Sequence, residues 1–167
     1  MRHTKPQTKP VNAGGMPIRI DSALLIPADT SAVFAYLANL ENNPMWNWAI
    51  TETRPLDGAP RRGSRYKQTR SSPRGSEETL EITAFRLDEH LEVTSTGRES
   101  IVYRYDFLAV AEHQTRLQLV VEMSPPSRFG RRDLFAARLA SALAINLENL
   151  RAAIVESQES LGRSGVA

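Results

Sequence analysis

The sequence predicts an α+β fold: one curved antiparallel sheet of about seven strands, wrapped around a long C-terminal helix, with two short helices after the first strand. Three observations carry this. One alternating segment precedes a short helical stretch. Six more alternating segments then follow with only turns between them. A single long stretch with three- and four-residue apolar spacing closes the chain. Strands joined by short turns must be antiparallel neighbours, because parallel pairing needs long crossovers. Such a sheet buries one face, and the long helix is the one element available to cover it.

The elements follow in order. Residues 18–26, IRIDSALLI, put Ile18, Ile20, Ser22, Leu24 and Ile26 on one face, as a half-buried strand does. In PADTSAVFAYLANLENNP, Asp29 or Thr30 can cap a helix, Val33, Phe34 and Leu37 form its apolar stripe, and Pro44 closes a second short turn. AITETRPL and SRYKQTR are strands, the second with Tyr66, Gln68 and Arg70 on one face. EETLEITAF aligns Glu78, Leu80 and Ile82, and LEVTST aligns Leu91 and Val93. IVYRYDFLAV aligns Ile101, Tyr103, Tyr105 and Phe107, and TRLQLVVEM aligns Leu117, Leu119, Val121 and Met123. Pro125 and Pro126 end the sheet. The last helix, interrupted at most near Gly130, carries Leu139, Leu143, Asn146, Leu150 and Ile154 on its inner stripe.

Composition narrows the function. The chain has 167 residues, 41% apolar and 24% charged, which suits one globular domain with a real core. It contains no cysteine, so disulfides, thiolate metal sites and cysteine nucleophiles are excluded together, and a reducing, cytoplasmic setting fits. A formal charge of only +2 gives no ground for nucleic-acid binding. No apolar run approaches the ~20 residues that span a bilayer. Residues 1–15 read as a flexible tail without the apolar core of a secretion signal, and residues 161–167 as a flexible end.

Four stretches carry a resemblance: IPADTSAVFAYLANLENNPMWNW, EITAFRLDEHLEVTST, YRYDFLAVAEHQTRLQLVVEM and LENLRAAIVES. Together they resemble the START-related (SRPBCC) helix-grip superfamily, in particular its bacterial polyketide cyclase/dehydrase-like branch. In the first stretch, Ile26, Ala28, Val33, Phe34, Leu37, Asn39, Glu41, Asn42, Pro44 and Trp46 fit the strand-to-helix pattern of that family. The resemblance covers residues 18–156 and implies that residues 16–160 form one helix-grip domain with a hydrophobic cavity between sheet and helix. It does not choose a function, since the fold hosts ligand carriers, cyclases, hydrolases and chaperone regulators.

Candidate site residues are weighed against ordinary packing. Trp46 occupies a recurrent family position and reads as scaffold; Trp48 is additional and is the expected ligand contact, because an extended segment would turn both rings the same way. Tyr36, Tyr66, Tyr103 and Tyr105 fall on or near inward positions, where a phenol needs a partner that phenylalanine would not. Several such tyrosines suit a wet or ligand-filled interior, where ring faces touch an apolar ligand and hydroxyls orient it; alternatively each hydroxyl reaches the surface or a backbone carbonyl. Glu78 sits on an apolar face near a strand end, where solvation is the simpler account. Asn146, mid-helix on the inner stripe, must bond a neighbour, a water or a ligand. Arg70 and Arg138 could extend toward the cavity or stay at the surface.

His3 lies in the tail and His90 and His113 in expected turns, which argues against a histidine-centred site, a metal or another cofactor. No phosphate-cradling glycine loop or G-x-S-x-G elbow is present. Arg61 and Arg62, with Arg128, Arg131 and Arg132, form basic clusters that are either solvated surface or a contact for anionic lipid or an acidic partner. Three readings stay open: a carrier or sensor of a lipid, isoprenoid or aromatic polyketide-like molecule; a cyclase acting through tyrosine, arginine or Glu78; and an interaction protein with a vestigial cavity. Either a monomer or a homodimer is compatible with all three.

Overall fold

The computed structural model describes residues 16–72, 74–97, 100–124 and 132–164. Strand β1 (Ile18–Ile26) is followed by helix α1 (Thr30–Ala38), a 3₁₀ turn (Leu40–Asn42) and the one-turn helix α2 (Asn43–Trp46). Six strands follow: β2 (Ile50–Pro55), β3 (Arg65–Arg70), β4 (Ser76–Arg86), β5 (His90–Thr96), β6 (Ser100–Ala111) and β7 (Gln114–Met123). Helix α3 (Arg132–Ser164) closes the chain. The strand order is β1-β7-β6-β5-β4-β3-β2, antiparallel throughout. The expected seven strands, two short helices and long helix are all present. Tail residue His3, Gly130, Arg128 and Arg131, on which expectations were placed, lie outside the described residues.

Local chemistry explains the turns into and out of α1. Asp29 precedes the helix in an extended conformation but gives it no side-chain cap. Its carboxylate instead accepts from His113 Nδ1 at 2.9 Å, tying the start of α1 to the β6–β7 turn. Thr115 beneath it donates to the Ala28 carbonyl at 2.8 Å and meets the Thr30 hydroxyl at 3.1 Å. Asn42 donates to the Tyr36 carbonyl at 2.9 Å, folding the chain back, and Pro44 sits in the first turn of α2, where its missing N–H costs nothing.

Alternation then decides the core. Inward residues of every strand except β2 join Val33, Phe34 and Leu37 of α1 and Leu143, Leu147, Leu150 and Ile154 of α3 in one core. Phe34 stands edge-on to Phe85 and Phe107, with centroids 5.1 Å apart in both pairs. Register shifts at Ile82/Ala84 and Ala109/Ala111 mark bulges, a usual source of sheet curvature. Coverage by α3 is uneven. Leu150 and Ile154 are fully buried, whereas Phe135 and Leu139 pack against the core only partly buried. Strands β1 and β2 form the two edges; Glu52 and Arg54 of β2 point outward as an ion pair, and Pro55 ends that strand.

Candidate functional site

Register assembles a polar cluster on the concave face. Gln68 of β3 stands opposite Glu78 of β4, and Leu80 stands opposite Ser95 of β5. Side chains two residues apart share a face, so Arg70, Glu78 and Ser95 converge diagonally. Arg70 Nε donates to Glu78 Oε1 at 2.8 Å and Gln68 Nε2 donates to the same oxygen at 2.7 Å. The Ser95 hydroxyl donates to Glu78 Oε2. Gln68 Oε1 in turn accepts from Asn43 Nδ2 at 2.9 Å and from Thr53 Oγ1 at 3.1 Å. Gly97 lies against Glu78 so closely that an added Cβ would stand 3.2 Å from the Glu78 Cβ.

Glu78 is 8% exposed and its carboxylate is met on both oxygens. Solvation, the simpler expectation for this residue, is therefore replaced by burial against a guanidinium. A buried carboxylate is tolerated only with such partners. Arg70 also interacts electrostatically with the Tyr103 hydroxyl. A guanidinium can only donate, so toward Arg70 the phenol oxygen can act only as an acceptor. Burial pushes the Tyr103 hydroxyl pKa above that of an ordinary phenol, with Arg70 opposing and Glu78 adding. Tyr105, next but one along β6, is pushed up by burial and by Tyr103. Both phenols thus remain neutral hydrogen-bond donors at neutral pH.

Beside this cluster lies a cavity of about 20 Å³, room for about one water molecule. Leu40, Asn43, Trp46, Asn47, Gln68, Leu80, Val93, Tyr103 and Tyr105 line it. Helix α2 supplies one wall and is pinned to α3 by two bonds. Asn146 Nδ2 donates to Asn47 Oδ1 at 3.1 Å, and Asn149 Nδ2 donates to the Trp46 carbonyl at 3.4 Å.

The sequence-derived candidates divide accordingly. Tyr103 and Tyr105 line the cavity, and Asn146 lies one hydrogen bond behind its wall. Glu78 and Arg70 stand behind Tyr103. Tyr66 is 1% exposed and packs in the core away from the cavity lining, its pKa raised by burial and by Glu41 and Asp57. Tyr36 lies on α1 near Glu156, which with burial raises its pKa. Trp48 corrects the expectation placed on it: it is 61% exposed and absent from the cavity lining, while Trp46 is 6% exposed and forms part of that lining. The reason is local. Trp46 ends a helical turn and Asn47 turns the chain, its Oδ1 accepting from the Ala49 amide at 3.1 Å, so period-two reasoning does not apply across residues 46–48. Gln68, Ser95, Asn43, Asn47 and Thr53 were not anticipated.

Among the described residues no group of three or more histidine, aspartate or glutamate side chains is arranged to hold a metal. His90 pairs with Asp106 at 2.6 Å and His113 with Asp29, both near the sheet surface. Arg61 and Arg62 are exposed, and Arg132 donates to the Pro17 carbonyl at 2.7 Å. No helix among the described residues is long and apolar enough to cross a membrane.

Comparison with known proteins places this architecture. The family model described as "Polyketide cyclase / dehydrase and lipid transport" matches residues 17–155. The chain belongs to that family. Solved structures share the fold at low sequence identity. Ara h 8.0201 superposes with a TM-score of 0.65 at 13% identity, covering 83% of this chain and 97% of that one. TTHA0849 from Thermus thermophilus gives 0.66 at 16% identity, with 83% and 98% covered. Protein CV1439 from Chromobacterium violaceum gives 0.61 at 13% identity, with 83% and 98% covered. Among curated proteins, none matches the sequence significantly. The likeness establishes the START-related helix-grip fold for this member of the polyketide cyclase/dehydrase family, and family and fold together point to hydrophobic-ligand binding.

Proposed function

We propose that the chain carries or senses a small, mostly apolar molecule bearing at least one oxygen, held between the concave face of the sheet and α3. A lipid, isoprenoid or aromatic polyketide-like molecule is the class in view. The observation that carries the reading is Tyr103: a half-buried phenol on the cavity wall beside Arg70, with its hydroxyl available to a bound carbonyl or hydroxyl. A structural role alone would be served by phenylalanine at lower cost.

The cavity admits only about one water as it stands and its helical wall is α2, so a larger occupant requires α2, and α3 to which it is bonded, to move from the sheet. The N-terminal half of α3, with Phe135 and Leu139 half-covered, has less buried apolar area to give up than the half bearing Leu150 and Ile154. A cysteine-free chain supports a cytoplasmic setting in a bacterial cell. Contacts of Arg61, Arg62 and Arg132 with an anionic lipid surface belong to the same reading.

Native mass spectrometry of the protein purified from its own host tests it. The expected result is a retained apolar molecule, lost in large part from Tyr103→Phe. A bare protein mass, together with co-purification in a large complex, would instead favour the interaction protein with a vestigial cavity. The Arg70–Tyr103 pair also favours a second reading, a cyclase- or dehydrase-type reaction in which Tyr103 protonates a carbonyl oxygen. Turnover of a poly-keto substrate that survives Tyr103→Phe unchanged rules that role out.

A further inference from the structure

We propose that two copies of this chain pair face to face through the outer surface of the sheet, around Leu108, Arg116 and Glu89. The inference does not depend on the cavity. Helices α1 and α3 pack on the concave face, so the outer face of β1, β7 and β6 has no helix over it among the described residues. Toward one end that face is laced by ion pairs from Arg19 and Arg104 to Glu122. The other end differs. There Leu25 of β1 and Leu108 of β6 stand directly opposite Arg116 of β7, one on each side of it, and are 50% and 60% exposed.

An open groove of about 530 Å³ runs beside Leu108, lined by Glu89, Asp106, Phe107, Leu108, Arg116 and Gln118. Its charges are unevenly satisfied. Asp106 is bonded to His90 at 2.6 Å. Arg116 and Glu89 are exposed, and neither side chain has an ion-pair partner among the described residues. Strand β6 stands between them. Arg116 is paired with Leu108 on one side, and on the other the Phe107 amide donates to the Glu89 carbonyl at 3.0 Å. Across the sheet the order is therefore Arg116, Leu108, Glu89, with about 4.8 Å from strand to strand.

That order selects a second copy as the occupant. A two-fold dimer uses the same patch on both partners, so the patch must complement itself. A two-fold axis laid along β6, just above Leu108, sets Leu108 against the partner's Leu108. The same rotation exchanges left and right, so Arg116 faces the partner's Glu89 and Glu89 faces the partner's Arg116. Two ion pairs then flank one apolar contact, and Leu25 extends the apolar strip behind Arg116. Contiguous exposed apolar surface rimmed by charge marks an interaction site. A partner of one sign suits this patch poorly: an anionic surface would attract Arg116 and be repelled by Glu89 and Asp106.

Sedimentation equilibrium of the full chain, from about 5 to about 500 μM, tests the pairing. We expect a reversible dimer. Arg116→Glu and Glu89→Arg should each weaken it at least about tenfold, because each brings like charges together twice per dimer. The double variant, which exchanges the two charges, should restore it. Leu108→Asp should also disrupt it. All three side chains are exposed, so the variants should keep the native circular dichroism spectrum. A monomer throughout the range overturns the proposal, whether or not it adheres to phosphatidylglycerol vesicles. So does a dimer indifferent to Arg116→Glu and Leu108→Asp, or one that the charge exchange fails to restore.

Discussion

Arg70 and Arg104 sit on opposite faces of one sheet, and each bonds glutamate across strands. Arg104, on the outer face, meets Glu92 at 2.7 Å and Glu122 at 2.9 Å, with Thr83 donating to Glu92 at 2.7 Å. Arg70, on the concave face, meets Glu78, which is itself bonded to Gln68 and Ser95. Water reaches both glutamates of the first cluster and is kept from Glu78 of the second, while Arg70 is nearly as exposed as Arg104. The outer pairs therefore contribute little to stability and are weakened by salt. The inner pair is costly to bury and gains its place only through its neighbours. On the function proposed above its part is positional: it stands behind the Tyr103 hydroxyl at the cavity wall.

The largest expected effect breaks the inner pair. Arg70→Met leaves Glu78 buried without its cation and should cost about 2–4 kcal/mol in chemical denaturation, below the full buried-pair loss because Arg70 keeps some access to water. Adding Glu78→Leu should recover most of that stability yet leave ligand retention impaired. Recovery of both would show that the pair has no role beyond folding. Arg104→Gln, its outer counterpart, should cost less than about 1 kcal/mol at neutral pH, and less still in high salt.

Acid sharpens the same contrast. Glu122 is held below the usual carboxylate range chiefly by its bond from Arg104. Burial alone would raise Glu92, but Thr83 and Arg104 outweigh it and the net shift is downward. A carboxylate with a depressed folded pKa stabilises the fold above its unfolded value and loses that contribution as pH falls through the folded one. Stability should accordingly fall below about pH 4.5, and Arg104→Gln should flatten that part of the profile. An unchanged acid limb would remove Arg104 from the account. Smallest of all is Trp48→Phe: an exposed ring that lines no described cavity should shift stability by no more than about 0.5 kcal/mol and leave binding intact.

Much of this was legible in the sequence, and the failures have physical causes. Alternation put Tyr103 and Tyr105 on the inward face because a strand's period is two whatever surrounds it. The same logic failed at Trp48, where a single helical turn ending at Trp46 rotates the chain. Glu78 looked solvated because its partner stands on another strand, and pairing register depends on how the chain turns after Arg70, which composition does not reveal. Gln68 and Ser95 carried a usable signal, since each continues an inward series, after Tyr66 and after Leu91 and Val93. Asn43 and Asn47 carried none, because asparagine in a short segment near a proline reads as an ordinary turn residue.

The free border of the sheet bears on how such a protein survives at high concentration. β2 is an edge strand, and an edge strand is a template on which a second chain could extend the sheet into a polymer. Opposite charges on Glu52 and Arg54, followed by a proline that can offer no amide, spoil that template along most of its six residues. The edge can thus stay open to solvent without inviting neighbours to stack on it.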